Sequence, residues 1–272
     1  MDGGNRYKAS IPAEMSDLLF GIDVGGSGIK GAIVDAALGD LTTDRYRIKT
    51  PQPATPEAVA ATIARIVEHF EWEGPVGAAL PSVVRRGIVA TAANIDKGWI
   101  GTDADHLLEE ATGNPVRVLN DADAAGIAEM IYGAGADEPG VVVLLTFGTG
   151  IGSAIFHDGI LMPNSELGHL EFRGMVAEHY AAARLVERDD MELDPWAIRV
   201  GEYLNHLERI LTPDLFIFGG GISKRFDDFS GHLQVDTPVK VAQLRNNAGI
   251  VGAALASRGL TPAERSDNEE QP

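Results

Sequence analysis

Three glycine-rich turns each follow a short apolar stretch. Gly25-Gly26-Ser27-Gly28 comes after Leu18 to Val24, Gly148-Thr149-Gly150 after Val141 to Phe147, and Gly219-Gly220-Gly221 after Leu215 to Phe218. Glycine admits positive φ and lets backbone N–H groups approach an anion closely. One such turn is ordinary loop geometry, whereas three together point to a site that grips phosphoryl groups. Asp23 stands just before the first turn, where its carboxylate would repel a phosphate unless a divalent cation such as Mg²⁺ lay between them.

Two further groups could carry chemistry. Asn120-Asp121 ends a predicted strand and opens an alanine-rich helix. Asp121 there is either a plain N-cap or a base that accepts a hydroxyl proton during phosphoryl transfer. The helix dipole predicts that its carboxylate stays ionised near neutral pH. Glu166-Leu167-Gly168-His169 follows a Pro163-Asn164 turn, with Glu178 and His179 downstream. Carboxylate and imidazole on a loop suit either a metal or the hydroxyls of a sugar. Gly168 makes a continuous helix through the pair unfavourable.

The elements that must position these residues alternate between strand and helix. Thr55 as N-cap and Pro56 at the first helical position open a helix running to Phe70, with apolar residues at Val59, Ile63, Ile66 and Val67. Strands are predicted at Val76 to Leu80 and Val116 to Leu119, and helices at Ala122 to Tyr132, Asp194 to Leu211 and Ala248 to Ser257. The stretch from Gly26 to Val34 aligns with the stretch from Gly148 to Phe156: two glycines, two isoleucines and an alanine coincide, and Ser27 pairs with Thr149. The chain therefore reads as two related halves. Gly26 to Gly31 also fits a dinucleotide fingerprint. That fingerprint needs a helix to begin at the turn, and here a second strand follows. The expected architecture is a two-lobed α/β protein with a central cleft. Residues 18–120 with 248–260 would form the smaller lobe and 121–247 the larger, with flexible tails at 1–16 and 261–272.

Composition narrows the function. The chain has 272 residues, a formal charge of −18 and no cysteine. The charge argues against binding nucleic acid through a basic surface, and the missing thiols exclude disulfide frameworks and cysteine-ligated metals. No export signal or membrane-spanning run is legible, so a cytoplasmic protein without membrane contact is expected.

Taken together, the motifs resemble a known family. Asp23-Val24-Gly25-Gly26-Ser27-Gly28-Ile29-Lys30 resembles the D-x-G-x-T-x-x-K phosphate motif of the ROK family of sugar kinases. Asn120-Asp121-Ala122-Asp123-Ala124-Ala125 resembles its N-D-A-N-A-A segment, and Glu166 to His169 matches its E-x-G-H motif. The resemblance implies the duplicated, actin-like, ribonuclease-H-type fold, a homodimer, and Mg²⁺-dependent phosphoryl transfer to a hexose. By position, Asp121 would be the base and, together with Asn120, Glu166, His169, Glu178 and Ser82, would hold the sugar. Asp23, Gly25, Gly26, Ser27, Lys30, Gly148, Thr149 and Gly150 would face the phosphoryl donor, with Asp23 toward Mg²⁺. Gly220 and Gly221, in the stretch from Gly219 to Ser223, would lie beside a nucleotide.

Many family members carry a cysteine-rich zinc loop after the E-x-G-H histidine. Here Leu170 to Ala177 contains no cysteine, so no structural zinc is expected. This version, with Leu80 to Val84 and Asn94 to Trp99, resembles the subgroup that phosphorylates the 6-hydroxyl of glucose, and in some members mannose, from inorganic polyphosphate or ATP. A polyanionic donor requires local cations, for which Arg85, Arg86 and Lys97 are candidates, with Arg173 and Lys30 nearer the donor. Two other readings stand beside the kinase. A ROK-type sugar-responsive regulator would need an N-terminal DNA-binding region longer than Met1 to Ser16, and an actin-type ATPase would lack the hexose motif.

Overall fold

The computed structural model describes residues 18–93 and 95–260. The tails expected at 1–16 and 261–272 lie outside the described residues, as does Asn94. The duplication is visible in the strand order. In the first half, β1 (Leu18–Val24) and β2 (Ile29–Asp35) form an antiparallel hairpin whose turn is Gly25 to Gly28. Two short strands, β3 (Asp40–Leu41) and β4 (Tyr46–Ile48), pair with the outer side of β2. Helix α1 (Pro56–His69) then leads to β5 (Val76–Leu80), which lies parallel to β1. Thr55 Oγ1 accepts the Ala58 N–H at 3.3 Å, as the capping signal predicts. A small hairpin, β6 (Val84–Arg85) and β7 (Ile88–Val89), precedes helix α2 (Ala104–Thr112) and strand β8 (Val116–Asn120), which is parallel to β5.

The second half repeats the plan. Helix α3 (Asp121–Tyr132) is followed by the hairpin β9 (Val141–Phe147) and β10 (Ile151–His157), with β11 (Ile160–Met162) on its outer side. A second small hairpin pairs β12 (Glu171–Phe172) with β13 (Met175–Val176) and fills the cysteine-free stretch after His169. Helices α4 (Ala177–Ala181), α5 (Arg184–Arg188) and α6 (Leu193–Leu211) follow. The sheet is completed by β14 (Leu215–Gly219), which is parallel to β9, and, after α7 (Phe226–Phe229), by β15 (Val239–Val241). Helix α8 (Ala248–Ala256) ends the described chain. The first turn leads into a strand, which excludes the dinucleotide-binding alternative.

Each sheet buries its outer face under its own helices: Phe20, Ile22 and Ile63 in one core, and Phe147, Trp196, Tyr203 and Phe218 in the other. Between the sheets lie α8, against β1 and β5, and α3, against α8 and β10. This stack is unusually close. A Cβ on Gly252 of α8 would overlap the Ala124 carbonyl oxygen of α3, so no larger residue fits the crossing without moving backbone. The alanine- and glycine-rich sequence of both helices thus sets the distance between the sheets, and with it the position of the residues at the start of α3.

Candidate functional site

The cleft between the two sheets encloses about 510 Å³, within the range of small-molecule sites. At its floor, β8 passes directly into α3. Asn120 is the N-cap: its Oδ1 accepts the Ala122 and Asp123 N–H groups at 2.8 and 3.0 Å, and its Nδ2 donates to the Ser82 carbonyl at 3.2 Å. The capping role considered for Asp121 is therefore filled by its neighbour. The Asp121 carboxylate accepts the Ala122 N–H at 2.8 Å and lines the cleft.

Its protonation differs from the sequence-based expectation. Burial, with the charge of Asp23 next and that of Glu166 further behind, pushes the Asp121 carboxyl up to about 7, against the opposing hydrogen bond from Ala122. The helix dipole was expected to keep it ionised. Desolvation and two acidic neighbours outweigh the dipole, because the loss of water penalises charge more than one partial dipole favours it.

The two hairpin turns face this floor from opposite lobes. In the first, the Gly25 N–H donates to the Gly28 carbonyl at 3.1 Å, and Lys30 Nζ meets Asp23 Oδ2 at 3.1 Å. In the second, the Gly148 N–H donates to the Gly150 carbonyl at 3.0 Å. Gly150 has no room for a side chain because the Glu178 carboxylate fills the place of its Cβ. Glu178, which also accepts the Ile151 N–H from 27 residues on, is thereby brought to the cleft, where Arg184 Nη2 stands 3.8 Å from it. Gly220 lies at φ 88° against Phe147, which only glycine tolerates at low cost.

Glu166 and His169 sit on a 3₁₀ turn, with Nδ1 and Oε2 3.1 Å apart. Burial raises the Glu166 carboxyl, His169 lowers it, and the charge of Glu178 raises it again, so the three groups face one another. The Ser82 hydroxyl, buried in the cleft wall, has no hydrogen-bond partner. A side cavity lined by Gly219, Gly220, Gly221, Ser223, Lys224, Ala242, Arg245 and Asn246 adjoins the cleft at Thr146 and Gly220.

The structure thus brings Asn120, Asp121, Glu166, His169, Glu178, Ser82, Gly26 and Gly148 to Gly150 into one cleft, and Gly220 and Gly221 beside it. Gly25 lines an adjoining pocket with Gly26. Among the expected cations, Arg173 does not reach the cleft. It pairs with Glu202 at 2.9 Å and lies over the Phe172 and Tyr180 rings. Lys97 Nζ is held by the Ala92 carbonyl at 2.6 Å, and Arg85 and Arg86 stand on the β6–β7 hairpin.

Three contributors escaped the sequence reading. Asp123 Oδ2 accepts the Asn164 N–H at 2.8 Å, while Asn164 exchanges two 2.9 Å hydrogen bonds with the Val84 backbone. Burial raises the Asp123 carboxyl to about 6, against the hydrogen bond from Asn164. Asp123 thus fixes the turn before Glu166 to α3, and the Val84 pair ties the same turn to the β6–β7 hairpin. Fully buried Glu129 accepts the N–H groups of Ala134, Gln243 and Leu244. An acidic residue on the inward side of an alanine-rich helix was the signal available for it.

No group of three or more His, Asp or Glu among the described residues could hold a metal by itself. Magnesium does not require one, since it commonly takes one or two carboxylates and completes its shell with substrate phosphate and water. Asp23, at the end of β1 and felt electrostatically by Asp121, fits that role.

Comparison with known proteins agrees with the geometry. A profile of the ROK family matches residues 19–183. The chain is 57% identical over 239 residues to a polyphosphate glucokinase of Mycobacterium tuberculosis, covering 88% of this chain and 90% of that one. It superposes on the inorganic polyphosphate/ATP-glucomannokinase of Arthrobacter sp. strain KM with a TM-score of 0.84 and 50% identity, covering 88% and 97% of the two chains. A ROK family glucokinase from Streptomyces griseus, solved with glucose and AMPPNP, gives a TM-score of 0.77 at 25% identity, covering 89% and 99%. Duplicated hairpins, a carboxylate where β8 enters α3 and these matches lead to one conclusion: the chain belongs to the ROK family.

Proposed function

We propose that the protein transfers a phosphoryl group from inorganic polyphosphate or ATP to the 6-hydroxyl of glucose, and also accepts mannose. The observation that carries this reading is Asp121, a carboxylate poised near neutrality between two anion-gripping turns and a Glu–His pair suited to sugar hydroxyls. A base works best with a pKa near the working pH. Asp121 accepts the hydroxyl proton as the sugar oxygen bonds to the terminal phosphorus. The bridging P–O bond breaks, and ADP or a polyphosphate one unit shorter departs.

Glu166, His169, Glu178, Asn120 and Ser82 orient the sugar, and Ser82 gains the partner its hydroxyl lacks. The Gly25–Gly28 and Gly148–Gly150 turns with Lys30 hold the donor phosphates. A bound Mg²⁺ would neutralise charge on the donor oxygens, and Asp23 would hold it. The side cavity beside Gly220 and Gly221 takes the nucleoside of ATP. The family resemblance also supports a cytoplasmic homodimer, with lobes dividing at residues 120 and 248. No helix among the described residues is long and apolar enough to cross a membrane.

The test is formation of glucose 6-phosphate by purified protein with Mg²⁺ and either ATP or polyphosphate, supplied separately. Product with both donors is expected. No product with either, alongside tight glucose binding, would favour a sugar-responsive regulator instead.

A further inference from the structure

The cleft is acidic at its floor, with Asp23, Asp121, Glu166 and Glu178, and the whole chain carries −18. A long polyanion therefore needs a cationic approach. The sequence places cations at every second residue, Arg45, Arg47 and Lys49, all three exposed. Of the three only Arg47 lies in β4, with Arg45 and Lys49 flanking it, and the exposed cations alternate with half-buried Tyr46 and Ile48, which pack against the core.

Strand register fixes which face this is. Arg47 stands opposite Lys30, and Lys30 opposite Asp23, so the three side chains project to the same side of the sheet, where Lys30 and Asp23 pair. Arg47 Nη2 donates to the Ser27 carbonyl at 2.6 Å and reaches Ser27 Oγ at 3.3 Å. Its guanidinium also fills the space a Cβ on Gly28 would need, so it lies against the first turn. Arg45 Nη1 donates to the Asn246 carbonyl at 3.3 Å. Asn246, Arg245 and Lys224 line the side cavity. Arg45 and Arg47 spend their bonds on backbone and hydroxyl oxygens, and neither forms an ion pair among the described residues.

We infer that this exposed edge, with Arg47 on β4 and Arg45 just before it at its centre and Lys49 and Arg245 extending it, is the track on which a long inorganic polyphosphate chain lies while its end enters the Gly25–Gly28 turn. The inference rests on the donor reading proposed above and adds where the chain runs. Neighbouring cations on one face are about 7 Å apart, within reach of a single flexible phosphate chain. The assignment also differs from the sequence-based candidates on the Arg85–Arg86 hairpin, which sits beside Ser82 and Asn164 on the sugar side of the cleft.

The test measures direct binding of fluorescently labelled long-chain polyphosphate by anisotropy, together with KM for polyphosphate, ATP and glucose. Arg45→Gln/Arg47→Gln should weaken polyphosphate binding and raise its KM at least tenfold, while the KM for ATP, which meets only the turn and cavity edge that these residues brace, rises less than that for polyphosphate and the KM for glucose moves less than threefold. Arg45→Lys/Arg47→Lys should restore binding to within threefold of the parent. Counterion release predicts that the log–log salt slope flattens by about 1.4, at ~0.7 per lost contact to a single-stranded polyanion. Arg85→Ala/Arg86→Ala should leave binding unchanged.

Unaltered binding in the Gln pair would overturn the track, as would equal losses with ATP and polyphosphate or a larger loss in the Arg85/Arg86 pair. Parent protein that binds polyphosphate without turning it over would overturn the donor reading, while loss of binding in the Gln pair would still support the track. Parent protein that does not bind the chain would overturn the track, even with ATP turnover intact.

Discussion

Replacing Asp121 by Asn removes one proton site from the cleft floor and changes little else, because Asn Oδ1 can still accept the Ala122 N–H that Asp121 accepts at 2.8 Å. Two consequences of opposite sign follow. Loss of a general base should lower kcat by ~10²–10⁴, while glucose affinity, carried by Glu166 and His169, stays nearly constant. Stability should change the other way.

The Asp121 carboxyl is raised from 3.8 to about 7. A group raised on folding contributes its full stability below its unfolded pKa and loses it as pH rises through the folded value. At 1.36 kcal/mol per unit, ionisation in the native cleft costs about 4 kcal/mol. Because the carboxylate faces an open cleft that admits water, about 2 kcal/mol is a better expectation. Asp121→Asn should therefore melt several degrees above the parent at pH 8, at ~2–4 °C per kcal/mol for a chain of this size. The gap should shrink toward zero at pH 4. The assay is thermal unfolding of substrate-free protein in EDTA from pH 4 to 8, beside kcat for both proteins. A variant with near-parental turnover would reduce Asp121 to a structural residue. A pH-independent melting difference would show that its carboxyl is not raised.

Glu166→Ala and His169→Ala should each raise the glucose KM by ~5- to 150-fold, equivalent to ~1–3 kcal/mol for partners left unpaired, with the donor KM steady at saturating sugar. Bound zinc in the parent that vanishes in His169→Ala, measured by elemental analysis, would replace the sugar role with a metal one. Glu129→Ala leaves the buried Ala134 N–H and the half-buried Gln243 and Leu244 N–H groups without their acceptor and should lower stability by ~1–3 kcal/mol in urea titration, whereas unchanged stability would mean that water replaces the carboxylate. Gly252→Ala forces a methyl into the Ala124 carbonyl of α3 and should leave little folded protein at 37 °C; a melting temperature near the parent's would show that the helix stack can spread.

Much of the fold was legible because it is written locally. The two hairpins follow from apolar runs broken by glycine turns, and the predicted strand Leu18 to Val24 and its counterpart Val141 to Phe147 match the structure end to end. Thr55-Pro56 opens α1 as its capping signal indicates, since capping depends on residues two or three positions away, whereas at α3 the cap is Asn120 rather than the Asp121 that the sequence offered for it. The aligned turns at Gly26 and Gly148 disclosed the duplication, and with it a cleft between two similar sheets.

What escaped depends on residues distant in sequence. The protonation of Asp121 is decided by Asp23, 98 positions earlier, by Glu166, 45 later, and by removal from water; the local cue, a helix N-terminus, pointed the other way. Arg173 carries the right charge for a donor site, yet its hairpin turns it toward Glu202. Arg47 was overlooked because only the pairing of β4 with β2 brings it over Ser27. Local sequence sets backbone conformation through short-range sterics and hydrogen bonds. Charge and solvation act through space, so the chemistry of the site was decided only when the sheets and helices packed.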